Sequence, residues 1–297
     1  MTQNSLHPAN GLAQADWLAA NLHRSDVLVF DCTANIVADE NGVEKVVAER
    51  DAFRQGHIPS AQFIDLQAEL SDADSPYNFM LPTAGEFETA LRKFGVNHDS
   101  IVVVYSTGNP WWATRIWWMF RQFGLNNAYV LNGGFRYWQH SGFPTESGEA
   151  TPRPTGNAQA ASERNLAIDG DTLRSRLGEP QLALVNALPP DKFSGKSRVH
   201  GGRPGHIPGS VNVPAASLVD PETGLFISVP AMTAILSDKQ LLNPGRNVVA
   251  YCGGGISASL VVFALTLAGQ ENVKLYDASL SEWAHRDGFP LETTTTD

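Results

Sequence analysis

The sequence has few cysteines and no long apolar run. Only 2 of its 297 residues are cysteine, which excludes a disulfide framework, and no Cys-x-x-Cys or His-x-x-x-His spacing suggests a metal site. No stretch of about 18 apolar residues occurs, so no membrane-spanning helix is predicted. Residues 1–8 lack a charged segment followed by an apolar one, so we expect no secretory signal. We therefore expect a cytoplasmic protein, whose thiols stay reduced.

Positive charge is also scarce. The chain carries 21 Lys and Arg residues against 31 Asp and Glu residues, a formal net charge of −10. Such a balance disfavours a broad surface for nucleic acid or for an anionic membrane, so neither partner is expected. It remains compatible with one local basic pocket for a small anionic substrate.

Apolar residues, by contrast, are plentiful. They make up 42% of the chain and charged residues 18%, a composition typical of a globular protein. A length of 297 residues favours two domains of about 150 residues each. Each half contains enough apolar material for a core of its own.

Four short motifs of the first half recur, in order, in the second half. The pairs are His57 and His206, each followed by Ile-Pro, then Tyr105 and Tyr251, Trp138 and Trp283, and Gly142 and Gly288, each followed by Phe-Pro. A nearly constant offset across four pairs indicates two copies of one fold. We predict domains at residues 10–145 and 166–297, with a linker rich in Ser, Thr, Gly and Pro over residues 145–165.

Each copy alternates short apolar runs with helical patterns. The predicted buried strands are residues 27–30, 101–105 and 129–131 in the first copy and residues 182–185, 248–251 and 273–276 in the second. Clear helical patterns lie at residues 83–94 and 258–268. The predicted fold class is therefore α/β, with two tandem domains, each a mainly parallel sheet flanked by helices. Ligands of such sheets bind beyond the carboxyl ends of the strands.

One of the two cysteines stands at such a strand end. The candidate loop consists of Cys252, Gly253, Gly254, Gly255, Ile256 and Ser257, between a strand and a helix. Three glycines allow several backbone N–H groups to point at one centre, and the helix N-terminus adds positive potential. Thiols in such surroundings can have pKa values well below about 8.5. The pattern predicts that Cys252 is a nucleophile; Ser257 could donate a hydroxyl hydrogen bond or cap the helix.

The other cysteine and the first copy offer a contrast. Cys32 ends an apolar run without following glycines, so we expect it to be structural. At the position of Cys252 the first copy has Ser106, which has no evident activating base. The first copy should therefore be inactive.

Two other chemistries are disfavoured at the cysteine loop. A cysteine phosphatase needs an arginine six or seven positions after its cysteine, where this chain has Ala258 and Ser259. The three glycines also lack the spacing of a dinucleotide-binding motif and its later acidic residue.

Several longer stretches resemble the tandem-domain rhodanese family, the thiosulfate and 3-mercaptopyruvate sulfurtransferases. They are residues 75–82 (SPYNFMLP), 115–121 (RIWWMFR), 131–135 (LNGGF), 205–209 (GHIPG) and 276–283 (YDASLSEW). The resemblance implies an inactive first domain and an active second one. It also implies transfer of sulfur from a small-molecule donor to cyanide or a thiol through a persulfide on Cys252, without a cofactor.

Departures from the family pattern concern the sulfur donor. Thiosulfate-type loops resemble Cys-Arg-Lys-Gly-Val-Thr and mercaptopyruvate-type loops resemble Cys-Gly-Ser-Gly-Val-Thr. The uncharged loop here favours mercaptopyruvate, but Gly254 replaces the serine to which a proton path is ascribed. His57 matches a histidine of that path, although its repetition as His206 favours a structural role.

The family also grips the substrate carboxylate with arginines that precede the second His-Ile-Pro motif. Lys192 and Arg198 stand at or near those positions, and Arg203 is close by. Binding of substrate by Lys192 and Arg198 is the prediction, and an ordinary surface role is the alternative for each. Lysine keeps the charge but loses the bidentate fork of arginine. Asn186 and Leu188 replace the family's usual Asp and Arg.

Two kinds of function fit these observations. The first is an enzyme that transfers sulfur through Cys252. The second is a non-enzymatic pair of such domains that binds a protein or senses redox state. Retention of a thiol and its glycines in one copy favours the enzyme.

Overall fold

The computed structural model describes residues 7–8, 10–38, 44–160 and 163–294. The chain divides into two compact units, and each unit takes one short segment from the other half of the sequence. The first comprises Met1–Ala73, Leu81–Arg164 and Pro221–Phe226, and the second comprises Asp74–Met80, Asn165–Asp220 and Ile227–Asp297. Residues 1–6, on which the expectation about a secretory signal largely rests, lie outside the described residues.

The first unit is built on a five-stranded parallel sheet. The described strands of this unit, five in the sheet and two outside it, are β1 (Leu12–Ala13), β2 (Val27–Asp31), β3 (Ala34–Ala38), β4 (Glu44–Ala48), β5 (Gln62–Phe63), β6 (Ile101–Tyr105) and β7 (Ala128–Leu131). The sheet has the order β1-β7-β6-β2-β5, while β3 and β4 form a separate antiparallel pair. Its helices are α1 (Ala15–Asn21), α2 (Arg50–Gln55), α3 (Leu66–Leu70), α4 (Ala84–Lys93), α5 (Trp111–Gln122) and α6 (Gly134–His140).

The second unit repeats this arrangement. Its strands are β8 (Ala167–Ile168), β9 (Leu182–Asn186), β10 (Ser210–Asn212), β11 (Asn247–Tyr251) and β12 (Val273–Tyr276). Its helices are α7 (Gly170–Ser175), α8 (Pro190–Ser194), α9 (Val229–Asp238), α10 (Ser257–Leu267) and α11 (Ser279–Trp283), with a 3₁₀ turn at Ala215–Leu218. The parallel sheet order β10-β9-β11-β12-β8 matches that of the first unit strand for strand.

The predicted fold class is confirmed, and the apolar runs explain it. Every residue of β2 and of β6 is buried, as expected where helices cover both faces of a parallel sheet. All six predicted strands are present, each within one residue of its predicted bounds. The short edge strands were not predicted, because two- or three-residue strands carry little periodic signal. The antiparallel β3–β4 pair was not predicted either.

Helix α4 shows how a local signal sets a boundary. The Thr83 hydroxyl accepts a hydrogen bond from the Glu86 amide at 3.3 Å, and the Glu86 carboxylate accepts one from the Thr83 amide at 2.8 Å. This reciprocal capping box satisfies amides that lack partners within the helix. The helix therefore begins at Ala84, directly after the cap.

The repeated motifs serve the same structural purposes in both units. The indoles of Trp138 and Trp283 are fully buried, and each donates to a proline carbonyl at 2.8 Å. The His57 ring stacks on Phe53 at 4.0 Å between ring centroids and contacts its carbonyl through Nδ1 at 2.9 Å. His206 makes the same two contacts with its own phenylalanine. Each motif therefore holds a turn or a core in place, which favours the structural role for His57.

Most of the predicted linker lacks regular structure. Residues 147–160 and 163–166 form neither helix nor strand. The segment is nevertheless bound to the first unit, where Gly156 donates to the Arg92 carbonyl at 2.8 Å and Ala158 donates to the Val96 carbonyl at 2.9 Å. Within the described residues, no helix is both long and apolar enough to span a bilayer.

Candidate active site

Cys252 lies at the carboxyl end of β11, the central strand of the second sheet. β11 is flanked by β9 and β12, so the loop that follows it opens over the middle of the sheet, where ligands of such folds bind. The residue is 2% exposed. A substrate must therefore present a small terminal atom to the thiol.

The loop after Cys252 turns tightly into α10. Gly255 has a φ of +75°, in the left-handed region that favours glycine. Among the described residues, we find no hydrogen-bond acceptor for the backbone N–H groups of residues 253–256. Together with the start of α10 they form a cluster of donors suited to an anion. Because α10 begins at Ser257 and Ile256 occupies the cap position without a side-chain bond, Ser257 does not cap the helix.

Ser279 supports the loop from the end of β12. Its hydroxyl accepts a hydrogen bond from the Cys252 amide at 3.0 Å and donates to the Tyr276 carbonyl at 2.8 Å. The side chain is fully buried, and its backbone has a φ of +52°, which is uncommon outside glycine. Ser279 therefore fixes the backbone that carries the thiol.

Two neighbours of Ser279 hold the same loop by its carbonyl groups. The Leu280 amide donates to the Cys252 carbonyl at 3.1 Å. The Ser281 amide and hydroxyl donate to the Gly253 carbonyl at 2.7 and 2.8 Å. Sequence reasoning gave these residues no role, although residues 276–283 were among the stretches that carried the family resemblance. The structure thus assigns that stretch to support of the cysteine loop.

The predicted substrate-binding residues lie on the segment between β9 and β10. Lys192 is half-buried on α8, which follows β9, and Asn186 at the end of β9 pairs with Tyr251 of β11. Arg198 is exposed, and we find no hydrogen bond or ion pair of its guanidinium to another described residue. The segment therefore begins at the same end of the sheet as Cys252.

Arg203 has a structural role instead. Its guanidinium donates to the carbonyl oxygens of Trp283, Ala284, Arg286 and Phe289 at 2.8–3.1 Å. These bonds join the segment before β10 to the end of α11. Because the Arg203 guanidinium is bound to backbone carbonyls, we assign Arg203 no role in substrate binding.

The corresponding loop of the first unit is built differently. The Ser106 hydroxyl donates to the Asn109 carbonyl at 2.7 Å, within its own loop. Pro110 occupies the cap position of α5 and has no N–H group to offer a ligand. The loop therefore uses its hydroxyl internally and has fewer backbone donors.

Cys32 fits the structural role predicted for it. It is 1% exposed, and its thiol donates to the Tyr105 carbonyl at 3.1 Å. Burial, together with the nearby Asp31 carboxylate, raises the pKa of the Cys32 thiol well above its usual value. The reactive thiolate is therefore suppressed at this position.

Asp31 is itself a buried acid. It is 1% exposed, and one of its carboxylate oxygens accepts hydrogen bonds from the amide (2.8 Å) and the hydroxyl of Thr33. Burial raises the pKa of Asp31 to about 6, and the Thr33 hydrogen bonds oppose that shift. The matching residue of the second unit is Asn186, whose Oδ1 accepts from the Leu188 amide at 2.8 Å. The amide occupies the same place without carrying a charge.

A groove of about 500 Å³ runs along β12 and the edge strand β8 of the second unit. Its lining includes two cations, Arg176 and Lys274, and three acids, Asp169, Asp277 and Glu282. Cys252 is not among the lining residues, so this groove is separate from the cysteine loop. Within the described residues, no group of three or more His, Cys, Asp or Glu side chains is arranged to hold a metal ion.

Comparison with known proteins agrees with this architecture. The rhodanese-like domain model matches residues 14–141 and 169–286. The 3-mercaptopyruvate sulfurtransferase of Escherichia coli K12 is 34% identical over 280 residues, which cover 94% of this chain and 96% of that protein. The thiosulfate sulfurtransferase of Gallus gallus is 34% identical over 243 residues, covering 80% and 83%. The chain belongs to the rhodanese family, with two copies of the domain.

Solved structures show the same relationship. The crystal structure of SseA from Escherichia coli, described as a 3-mercaptopyruvate sulfotransferase, has a TM-score of 0.80 and 32% sequence identity, and the match covers 92% of this chain and 100% of SseA. Tum1 from Saccharomyces cerevisiae has a TM-score of 0.80 at 24% identity, over 97% of this chain and 100% of Tum1. At that identity the second likeness establishes the fold alone.

Proposed function

We propose that this protein is a sulfurtransferase that moves sulfane sulfur from 3-mercaptopyruvate or thiosulfate to a thiol or cyanide, through a persulfide on Cys252. The observation that carries the proposal is the position of this thiol, at the end of the central strand and beside backbone N–H groups for which the described part of the chain offers no acceptor. Membership of the rhodanese family and the names of its relatives supply the reaction class.

In the first half-reaction the Cys252 thiolate attacks the sulfur to be transferred, which is the outer sulfur of thiosulfate or the thiol sulfur of 3-mercaptopyruvate. With thiosulfate the S–S bond breaks, and sulfite leaves with the electron pair. With 3-mercaptopyruvate the C–S bond breaks, its electron pair passes to the enolate of pyruvate, and the thiol proton ends on the methyl carbon. Both donors leave Cys252 as a persulfide anion, which the loop N–H groups and the start of α10 would stabilise.

In the second half-reaction an acceptor attacks the outer sulfur of the persulfide. A thiolate acceptor forms a new S–S bond, whereas cyanide forms a C–S bond and gives thiocyanate. In either case the persulfide bond breaks and Cys252 leaves as the thiolate. No external oxidant or reductant is consumed, because each step exchanges one two-electron bond for another.

We further propose that Lys192 and Arg198 bind the carboxylate of the donor. Support comes from their charge and from the start of their segment at the end of β9, next to β11. The proposal extends to the domain roles, with residues 166–297 catalytic and residues 10–145 inactive. It also includes a cytoplasmic location, with which two free cysteines are compatible.

The direct test is to treat the protein with each donor and to digest it for mass spectrometry. A gain of one sulfur, about 32 Da, is expected on the peptide that contains Cys252, because a thiolate there is the nucleophile. Addition of cyanide should remove the added mass and release thiocyanate. Absence of the added sulfur with both donors would refute the proposal.

A further inference from the structure

The imidazole of His200 lies against the first glycine of the cysteine loop. A Cβ atom built on Gly253 would lie 2.9 Å from Nε2 and 3.5 Å from Cδ2 of His200. The ring therefore occupies the space into which a side chain at position 253 would project. Because consecutive Cα atoms are about 3.8 Å apart, Nε2 lies within about 8 Å of the Cys252 Cα atom.

The position of His200 is set by the fold on both sides. Its backbone has a φ of +47°, unusual for a residue other than glycine. Two residues later, the Gly202 amide donates to the Val199 carbonyl at 2.9 Å. Next in the chain is Arg203, which is bound to four backbone carbonyls around α11. The turn that carries His200 is thus anchored, while the residue itself remains exposed.

We propose that His200 binds the anionic group of the sulfur donor beside Cys252 and so helps to select the donor. This inference rests on the sulfurtransferase function proposed above. Both candidate donors are anions, and the loop of residues 252–257 contains no charged side chain. An imidazole can donate an N–H hydrogen bond whether neutral or protonated. His200 is a polar ring that the structure brings against this loop.

Gly253 makes room for the His200 ring. Glycine leaves the space that the His200 ring fills, since a contact shorter than 3.0 Å to a Cβ atom would force the ring aside. At Gly254 the nearest atom to a built Cβ is the Ser281 Oγ, at 3.4 Å, an ordinary contact. Of these two adjacent glycines, only position 253 affects His200.

The first experiment measures kcat/KM with thiosulfate and with 3-mercaptopyruvate for wild type, H200A, H200Q and H200R. Loss of a hydrogen bond to a charged group predicts a decrease of about 10- to 100-fold for H200A, mainly through KM. Glutamine retains an N–H donor and should recover part of the loss. Arginine adds a permanent cation and should shift the preference toward thiosulfate, the dianion.

The second experiment tests the contact itself. G253A should displace the ring and reduce kcat/KM about as much as H200A does, whereas in the H200A background it should add little. Additive losses in the double variant would overturn the proposal, because they would mean that the two positions act separately. H140A removes an exposed histidine of the first unit and should behave like wild type.

The outcomes separate this inference from the function on which it rests. If wild type forms no persulfide on Cys252 with either donor, the proposed function is wrong. If wild type forms the persulfide but H200A matches its KM and kcat for both donors, the role of His200 alone is wrong. If thermal unfolding shows that H200A does not fold, H200R and H200Q are compared instead. The proposal is overturned if the ratio of kcat/KM for thiosulfate to kcat/KM for 3-mercaptopyruvate is the same in both variants.

Discussion

The loops after β6 and after β11 occupy the same place in two copies of one fold, yet the side chains at their first positions are bonded differently. Ser106 gives its hydroxyl hydrogen to Asn109 in its own loop. For the Cys252 thiol we find no hydrogen bond with any described residue. The identical strand order of the two sheets therefore fixes the location of the loop but not its chemistry.

The supporting residues differ as well. Gly134 and Ser279 occupy matching positions, with φ values of +57° and +52°. In the first unit, a glycine reaches this conformation without cost. In the second unit, a serine accepts the strain, and its hydroxyl binds the Cys252 amide. Backbone strain of this kind is found mainly at functional sites.

Exchange of the residues at positions 252 and 106 should have the largest effect. C252S should abolish sulfur transfer, because a hydroxyl without a base is a poor nucleophile. C32S should retain most of it. S106C should not create a second active site, since its loop offers fewer N–H donors and contains Pro110. Thiocyanate release is the measurement, and activity of C252S/S106C comparable with wild type would show that the two loops are equivalent.

The choice of donor should have the next largest effect. We expect 3-mercaptopyruvate to have a higher kcat/KM than thiosulfate, because the loop lacks a cation to balance a dianion. K192A and R198A should each raise KM for mercaptopyruvate, since loss of a charge-assisted contact costs about 1.5–3 kcal/mol, or roughly 10- to 150-fold. A higher kcat/KM with thiosulfate would contradict the argument from loop charge while leaving the role of Cys252 intact.

Ser279 allows its two contributions to be separated. S279A removes the hydroxyl, keeps the strained backbone and leaves the buried Cys252 amide without its acceptor, so a loss of about 1–3 kcal/mol is expected. S279G also removes the hydroxyl but relieves the strain, so it should be less destabilised by about 1 kcal/mol. Urea unfolding gives the free energies, and slower persulfide formation in both variants would report the loosened loop. Equal stability of S279A and wild type would contradict the assigned role.

The smallest effect concerns Asp31 and its neutral counterpart Asn186. The folded-state pKa of Asp31, about 6, exceeds its usual value of 3.8. The folded protein therefore binds the Asp31 proton more tightly than the unfolded chain does. The resulting contribution of Asp31 to the free energy of unfolding is present below about pH 4 and is lost as pH rises through about 6. Between these two limits the free energy of unfolding changes by about 3 kcal/mol because of Asp31.

D31N should remove that pH dependence. The amide nitrogen of Asn186 has no hydrogen-bond partner among the described residues, and an Asn at position 31 would carry a similar cost. We therefore expect a gain of only about 1–2 kcal/mol near pH 7.5 and none near pH 4. Denaturant unfolding at both pH values is the measurement. N186D should show the opposite change, and a D31N gain that is independent of pH would contradict the explanation.

Local sequence was sufficient for much of this structure. Buried apolar runs located the six main strands, because a parallel sheet covered on both faces buries most positions within them. The repeated motifs located two copies of the fold, since each repeated tryptophan or histidine fills the same core or turn. The glycines after Cys252 indicated the loop, because backbone freedom and strand position are both encoded within a few residues.

Other features depend on residues far apart in the chain. Ser279 lies 27 positions after Cys252. The His200 ring lies against Gly253, although β10 and α9 separate the two residues along the chain. Asp74–Met80 belongs to the second unit and Pro221–Phe226 to the first, which likewise depends on contacts with residues far away in the chain. Strand and loop propensities act over neighbouring residues, so the sequence alone predicted the position of the cysteine loop. Side chains that support that loop were brought to it only when β9, β11 and β12 aligned in one sheet, because their contacts are set by long-range packing.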